Sequence, residues 1–413
     1  MKTALLISYF FPPIQNPESV MSLHLAKYLS RLGWKIIILC VDKPGRGGMD
    51  FSLDSEIPSN AVVYRTSGFE NFITRILFYF WILPDSKIGW YFSGLKKARQ
   101  IIQEHRVDII ISRSTPIASH LIALRLKRTS QLPWIACFSD PWVLNPYTAY
   151  PCALFRKPQE YLEKTVLFNA ERIIVTNEQT KQLFLENYPL GEKIRVISNS
   201  YDPEVIPRQG SAPKNKNLVI THTGNFYGKR SPEPFFKALA AVILKQEFRN
   251  TISVQLFGSI GPFQNLISQY HLNETVHIRN AVSRREALRH LGDSDILLLI
   301  DAVHKGESPF LPSKLMDYIG IGKPILAITP KGASMDVMKI TKTGVAVLPD
   351  DREGIQKAIM QYVTSWQQGQ LQGEPDWSEI QKYSAPILAQ RFSEYMQEVI
   401  DQSGSFSTTH AKI

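Results

Sequence analysis

Short apolar runs alternate with amphipathic stretches of helical period along almost the whole of this 413-residue chain. Nothing else in the sequence limits the fold as strongly. Strands are predicted near 2–8, 35–41, 61–65, 107–111, 133–137, 172–175 and 194–197, with helices near 18–32, 88–105, 117–128, 157–170 and 178–187 between them. Further strands follow near 218–223, 252–257, 274–279, 295–300, 324–328 and 344–348. Alternation of this kind implies sheets covered by helices on both faces. Strands separated by helices join in parallel through crossovers. The prediction is an α/β chain with mostly parallel, doubly wound sheets.

The pattern is interrupted from Asn199 to Asn217, where Pro203, Pro207 and Pro213 stand among charged and small residues. This reads as an interdomain linker. The expected organisation is a first Rossmann-like domain over 1–200, a linker over 201–217, a second over 218–378, a helix over 379–402 and a flexible tail over 403–413. Open sheets of this class bind ligands at the carboxyl ends of their strands, so two of them are expected to face a cleft.

Composition narrows the function. Hydrophobic residues make up 44% and charged residues 20%, as in an ordinary globular protein. Cys40, Cys137 and Cys152 are too few and scattered for a disulfide framework and suit a reducing cytoplasm. No zinc-like Cys/His spacing is present, and no uncharged apolar run approaches the ~20 residues of a spanning helix. The N-terminus enters a strand directly, without a signal-peptide pattern. The net charge of +10 and pI near 9.3 suit an anionic ligand or surface. Nucleic acid is not the expected partner, since no RNA-binding aromatic motif, zinc finger or long Lys/Arg run appears.

The segment Leu311–Ala327 reads as a turn, an N-cap at Ser313, a short helix, a glycine stop and a buried strand. Lys314 and Asp317 share a helix face. Lysine beside the free N–H groups of a helix start suits a diphosphate, and a carboxylate one turn later can accept from a sugar diol. The bland alternative is a surface ion pair. A second loop, Thr223 to Glu233, follows a strand: Gly224 allows close backbone approach, Lys229 and Arg230 can bind phosphate oxygens, and Ser231 and Pro232 suit a helix start. The alternative there is an ordinary turn with solvated basic residues. Backbone groups after Phe257-Gly258-Ser259 and Asn280-Ala281-Val282 could meet a nucleobase edge, or be plain turns. Asp295 reads as structural.

In the first half, Ser8 to Pro13 and Asp140-Pro141-Trp142 both follow strands. Asp140 could orient an acceptor hydroxyl or assist its deprotonation, or simply cap a loop. Glu163 and Glu178 lie on predicted helices and read as solvated. The aromatic stretch from Phe69 to Pro84, with Trp90-Tyr91-Phe92 and flanking Arg75, Lys87, Lys96 and Lys97, suits either an interfacial membrane patch or a core helix.

These residues resemble the GT-B glycosyltransferases, in particular the retaining family 4 that builds cell-surface polysaccharides and glycolipids. The likeness runs from Tyr9-Phe10-Phe11-Pro12-Pro13 through Asp140-Pro141-Trp142, Asn199 to Asp202 and Gly224 to Arg230 to Pro312–Tyr318. It implies a hexosyl transfer from a nucleotide sugar to a saccharide or lipid-linked acceptor, with retention and without a metal or other cofactor. The protein would be cytoplasmic, with contact at the anionic inner face of the membrane, and its last helix would cross back to the first domain. Gly224, Lys229, Arg230, Gly258, Val282, Ser313, Lys314 and Asp317 would form the donor site. Asp317 would take the ribose-binding place of the second glutamate in the family's Glu-x7-Glu motif. Pro13, Asn16 and Asp140 would lie on the acceptor side, and Asp140, Arg230 and Lys314 would act in catalysis. Two departures stand out: the motif's first glutamate falls at Pro309, leaving Glu307 and Ser308 nearby, and a Gly-Gly pair is here Gln15-Asn16. A UDP-sugar 2-epimerase of the same fold, or a catalytically weak membrane scaffold, are the alternatives.

Overall fold

A computed structural model of the chain describes all residues except 44–47, 69–71, 81–83, 208–214, 304–305, 372 and 410–413, and omits the side chains of 72 and 404–409. The chain divides into two compact units, Met1–Asn199 with Ala385–Ile413, and Ser200–Ser384.

The first unit is built on strands β1 (Thr3–Ser8), β2 (Lys35–Val41), β3 (Val62–Thr66), β4 (Ile109–Ser114), β5 (Trp134–Phe138), β6 (Arg172–Val175) and β7 (Ile194–Val196), in the order β3-β2-β1-β4-β5-β6-β7. All pairings are parallel. β1 is buried along its whole length, which explains its apolar run Ala4-Leu5-Leu6-Ile7. The order reverses between β1 and β4, and Ser8 and Ser114 end those two strands.

One face of this sheet packs against helices that include Trp90–Glu104 and Ala118–Ser130. The other is covered by Pro17–Arg31 and by the last helix, Ala385–Thr409. That last helix returns to the first unit by inserting Leu388, Phe392, Met396 and Val399, a helical stripe, into the apolar layer. Trp34 Nε1 donates to Ser393 Oγ at 2.8 Å. The helix starts later than the predicted 379, because a separate short helix, Trp377–Gln381, precedes it, and it continues past 402 to Thr409.

The second unit repeats the design with β8 (Leu218–Thr223), β9 (Ile252–Phe257), β10 (Val276–Arg279), β11 (Ile296–Ile300), β12 (Ile325–Ile328) and β13 (Gly344–Val347), in the order β10-β9-β8-β11-β12-β13, again parallel. Two doubly wound α/β units are therefore present, and the order in this sheet reverses between β8 and β11.

The flanks of the predicted linker do not behave as a tether. Tyr201 is buried among Leu315, Tyr318 and Ile319, and its N–H donates to Tyr383 O at 3.2 Å. On the far side, Asp295 accepts from Val219 N–H at 2.8 Å and Asn215 Nδ2 at 3.0 Å. Proline here bends segments that belong to the second unit. Pro213, with the rest of 208–214, lies outside the described residues.

Candidate functional site

Of the predicted donor residues, Gly224, Gly258 and Lys314 meet at the carboxyl ends of β8 and β9. Lys314, in the first turn of the helix Ser313–Ile321, donates from Nζ to Thr223 O at 2.8 Å. The N-cap is Pro312 rather than Ser313, and Ser313 makes no capping hydrogen bond. The Pro312 ring holds φ at −63° while ψ is 132°, and because proline carries no polar side chain the helix starts without a side-chain acceptor. The free N–H groups of that first turn stay uncapped by side chains.

Gly224 is required by its φ of +113°, and it lies against Lys314, whose Nζ would stand 2.7 Å from a Cβ at this position. Gly258, at φ +124°, would bring a Cβ to 2.7 Å from Gly224 O, so the loops after β8 and β9 touch backbone to backbone. Asn225 Oδ1 accepts from Ser259 N–H at 2.9 Å and Ser259 O from Phe226 N–H at 2.9 Å, which locks the two loops. Glu233 N–H bonds Ser231 Oγ at 3.2 Å at the start of the helix Glu233–Ile243.

The electrostatics of this corner are cationic. Burial, with Arg230 beside it and Asp301 opposing, pulls the Lys314 ammonium down to about 7. Burial raises the Asp301 carboxyl, while Ser334, Arg230, Thr329 and Lys314 draw it down. Asp301 Oδ2 accepts from Thr329 Oγ1 at 2.9 Å and Ser334 Oγ at 2.7 Å. His222, completely buried and stacked on Phe226, donates from Nδ1–H to Leu298 O at 2.9 Å, and its charged form is suppressed by burial and by Lys314. Arg230 Nε is buried without a hydrogen-bond partner. Two cations thus face one buried carboxylate, an arrangement that an anion completes. Lys229 is exposed. Asp301 and His222 carried no sequence signal beyond their place at strand ends.

Lys314 and Asp317 do not pair, although they share a helix face. Lys314 turns to the β8 carbonyl, and Asp317, 6% exposed, takes a two-pronged bond from Arg284, at 2.8 and 2.7 Å. Arg284 opens the helix Arg284–Gly292 behind a capping box of Ser283 and Glu286, close after Val282. Each Asp317 oxygen keeps a lone pair for a further donor. Pro309 is buried in the place of the missing glutamate. Beside it Ser308 is buried too, its N–H donating to Lys331 O at 2.7 Å, while Glu307 is exposed.

In the first unit Asn16 is the N-cap of Pro17–Arg31, its Oδ1 accepting from Glu18 N–H at 2.9 Å, so its side-chain oxygen is engaged in a structural role. Pro13 O accepts from Asp50 N–H at 2.6 Å. Asp140 follows β5 and is half-buried. Glu163 contradicts the solvated reading. It is completely buried, with Oε1 accepting from Val143 N–H at 3.1 Å and Oε2 from Tyr188 OH at 2.5 Å, and burial pushes its carboxyl up to about 7. Its helix, Ala153–Asn169, turns Gln159, Glu163, Val166 and Leu167 inward. Glu178 is solvated as expected and pairs with Lys181 at 3.5 Å.

The aromatic stretch splits between core and surface. Trp90 is fully buried, its Nε1 donating to Thr66 Oγ1 at 2.8 Å, and it meets Tyr9 edge to face. Ile73, Ile76, Tyr79, Phe80 and Phe92 are exposed. Phe69, Trp81, Ile82 and Leu83 lie outside the described residues. No helix among the described residues is long and apolar enough to cross a membrane.

Residues 19–205 match Glycosyltransferase Family 4. No curated protein matches the chain by sequence. Among solved structures, sucrose-phosphate synthase from Thermosynechococcus elongatus superposes with a TM-score of 0.73 at 14% identity, covering 97% of this chain and 100% of its own. HepE from Anabaena, in complex with UDP, gives 0.66 at 14% identity over 96% and 100%. The lipopolysaccharide outer core galactosyltransferase WaaB gives 0.60 at 14% identity over 96% and 99%.

Proposed function

We propose that this GT-B glycosyltransferase, whose residues 19–205 carry the Glycosyltransferase Family 4 match, moves a hexosyl group from a nucleoside diphosphate sugar to a hydroxyl of a saccharide or lipid-linked saccharide in cell-surface polysaccharide synthesis, with retention. The observation that carries the donor half is the cationic corner after β8, where Lys314 and Arg230 outnumber the buried Asp301. A diphosphate there restores the charge balance and lets Lys314 hold its proton.

Sugar transfer breaks the bond between the anomeric carbon and the diphosphate oxygen, so negative charge grows on the leaving group. Arg230, Lys314 and the free N–H groups at the start of Ser313–Ile321 would stabilise that charge. They supply the positive charge themselves, so the reading needs no metal. Gly224 and Gly258 would let the donor approach the backbone, Lys229 would add a solvated cation, and Val282 would border the base. Asp317, oriented by Arg284, would accept from the ribose diol. Asp140 would orient the acceptor hydroxyl, whose proton leaves late, toward the departing phosphate. HepE in complex with UDP supports a uridine nucleotide as the first donor to try.

Thermal stability with UDP, GDP, ADP and dTDP tests this. A nucleotide at about 100 times its dissociation constant stabilises by about 2.7 kcal/mol. We expect an upward shift with one base, absent in Lys314→Ala and Arg230→Ala. No shift with any of the four at saturating concentration would remove the donor site.

A further inference from the structure

Asp301 has so far been given only a charge, but its hydrogen bonds are lopsided. It follows β11 and is 8% exposed. Both hydroxyls that hold it, Thr329 Oγ1 and Ser334 Oγ, donate to the same oxygen, Oδ2. Its backbone is fixed as well, with Asp301 N–H donating to Ile328 O at 3.0 Å. Oδ1 accepts from no described residue and is not sealed from solvent. Arg230 and Lys314 act on this carboxyl through their charge, yet neither forms an ion pair or hydrogen bond with it among the described residues. One oxygen is therefore pinned, and the other is left open towards the corner that suits a diphosphate.

The place of the missing glutamate lies against the same loop. Proline at 309 brings no polar side chain. Ser308 is bound to its surroundings, its Oγ accepting from Phe310 N–H at 3.4 Å and its O from Ala333 N–H at 3.1 Å. It also bridges Gly332. The segment at Pro309 is thus tied to the stretch between Thr329 and Ser334, which is the stretch that holds Oδ2 of Asp301.

We propose that Asp301 reads the transferred sugar, with Oδ1 accepting from a hydroxyl of the donor's hexosyl group in place of the carboxylate that position 309 lacks. The inference rests on the donor-site reading and adds a specificity residue to it. A carboxylate only accepts hydrogen bonds, and so do the oxygens of a diphosphate, so the two cannot bond each other. The ribose is assigned to Asp317. The remaining hydroxyl donors attached to a diphosphate held by Arg230 and Lys314 are those of the sugar. Because Oδ2 is pinned, Oδ1 has a fixed direction, and a donor without a hydroxyl there leaves it unpaired.

Calorimetry with UDP, UDP-glucose, UDP-galactose and UDP-N-acetylglucosamine, on wild type and Asp301→Asn, decides it. Asparagine keeps an acceptor for Thr329 and Ser334 and turns the open oxygen into a donor. Removing one negative charge from the corner should tighten UDP about fivefold. The affinity of the preferred sugar nucleotide relative to UDP should fall about tenfold. The ratio cancels the change in charge that the diphosphate feels, so a mere counter-ion would leave it unmoved. Should Asp301→Asn fail to fold, Ser334→Ala keeps the charge and loosens Oδ2, and it should lower the same ratio about threefold with UDP unchanged. A ratio that neither substitution moves, in protein that binds these nucleotides, overturns this inference alone and leaves the donor site standing. Wild-type protein that binds none of the four overturns it together with a uridine donor site.

Discussion

Lys314 sits in a state that its own helix does not explain. Burial first, and Arg230 second, bring its ammonium to about 7, against an unperturbed 10.5. Between those values the unfolded chain holds a proton that the folded chain lacks, so this residue makes stability rise with pH through that window. An anion in the corner reverses the effect by raising the ammonium toward its ordinary range, and binding must then take up a proton. Nucleotide affinity should fall by up to about tenfold per pH unit above about 7. Calorimetry in buffers of different ionisation enthalpy should show the proton uptake, and Lys314→Met should lose both slope and uptake. A slope that survives in Lys314→Met would place the titrating group elsewhere. The importance of Lys314 was legible because its signal is local: a proline-bounded helix start, a glycine stop and a buried strand. Its partner was not. Arg284, 33 residues from Asp317, is brought to that carboxylate by the crossover between β10 and β11, and nothing in the spacing of a single element announces such a meeting.

Among the elements, Ala153–Asn169 shows how one helix can carry two environments. The helix was predicted from 157, but it begins at Ala153 and carries Pro158 inside it as its sixth residue, where the missing N–H leaves the carbonyl of Leu154 without its usual intrahelical donor. A helix in a doubly wound sheet was foreseeable from its period. Which carboxylate would be swallowed was not, because the burial of Glu163 depends on Val143 and Tyr188, each supplied by a different segment. The consequence is measurable. Glu163 titrates near 7 when folded and near 4.5 when unfolded, so the folded state binds the extra proton in between. Its contribution is fully present below about 4.5 and is lost as pH rises to about 7. Glu163→Gln keeps a carbonyl for Val143 N–H and removes the titration. Denaturant unfolding of the wild type should show stability in the first unit declining across that window relative to Glu163→Gln. Parallel profiles would mean that Glu163 is ionised throughout.

The whole molecule is organised by a chain that leaves its first unit and returns to it. The thirteen strands among the described residues, and their parallel pairing, were legible in the alternation of short apolar runs with helical stretches, which calls for helical crossovers covering each sheet on both faces. The placement of the closing helix was foreseen from family resemblance. Its physical basis is the stripe of Leu388, Phe392, Met396 and Val399 on the layer formed by β1, β2 and Pro17–Arg31. The last stretch of chain is therefore a structural part of the unit that the first stretch begins. Phe392 is 2% exposed, so Phe392→Ala should cost about 3–5 kcal/mol through lost burial and the cavity left behind. Phe235, fully buried in the second unit, is the matching control, with a similar cost. Denaturant unfolding followed by site-specific probes at Trp34 in the first unit and Trp366 in the second should separate the two. Phe392→Ala should lower the midpoint seen from Trp34 and spare that seen from Trp366, with Phe235→Ala doing the reverse. If either substitution moves both midpoints together, the two units unfold as a single cooperative body rather than one at a time.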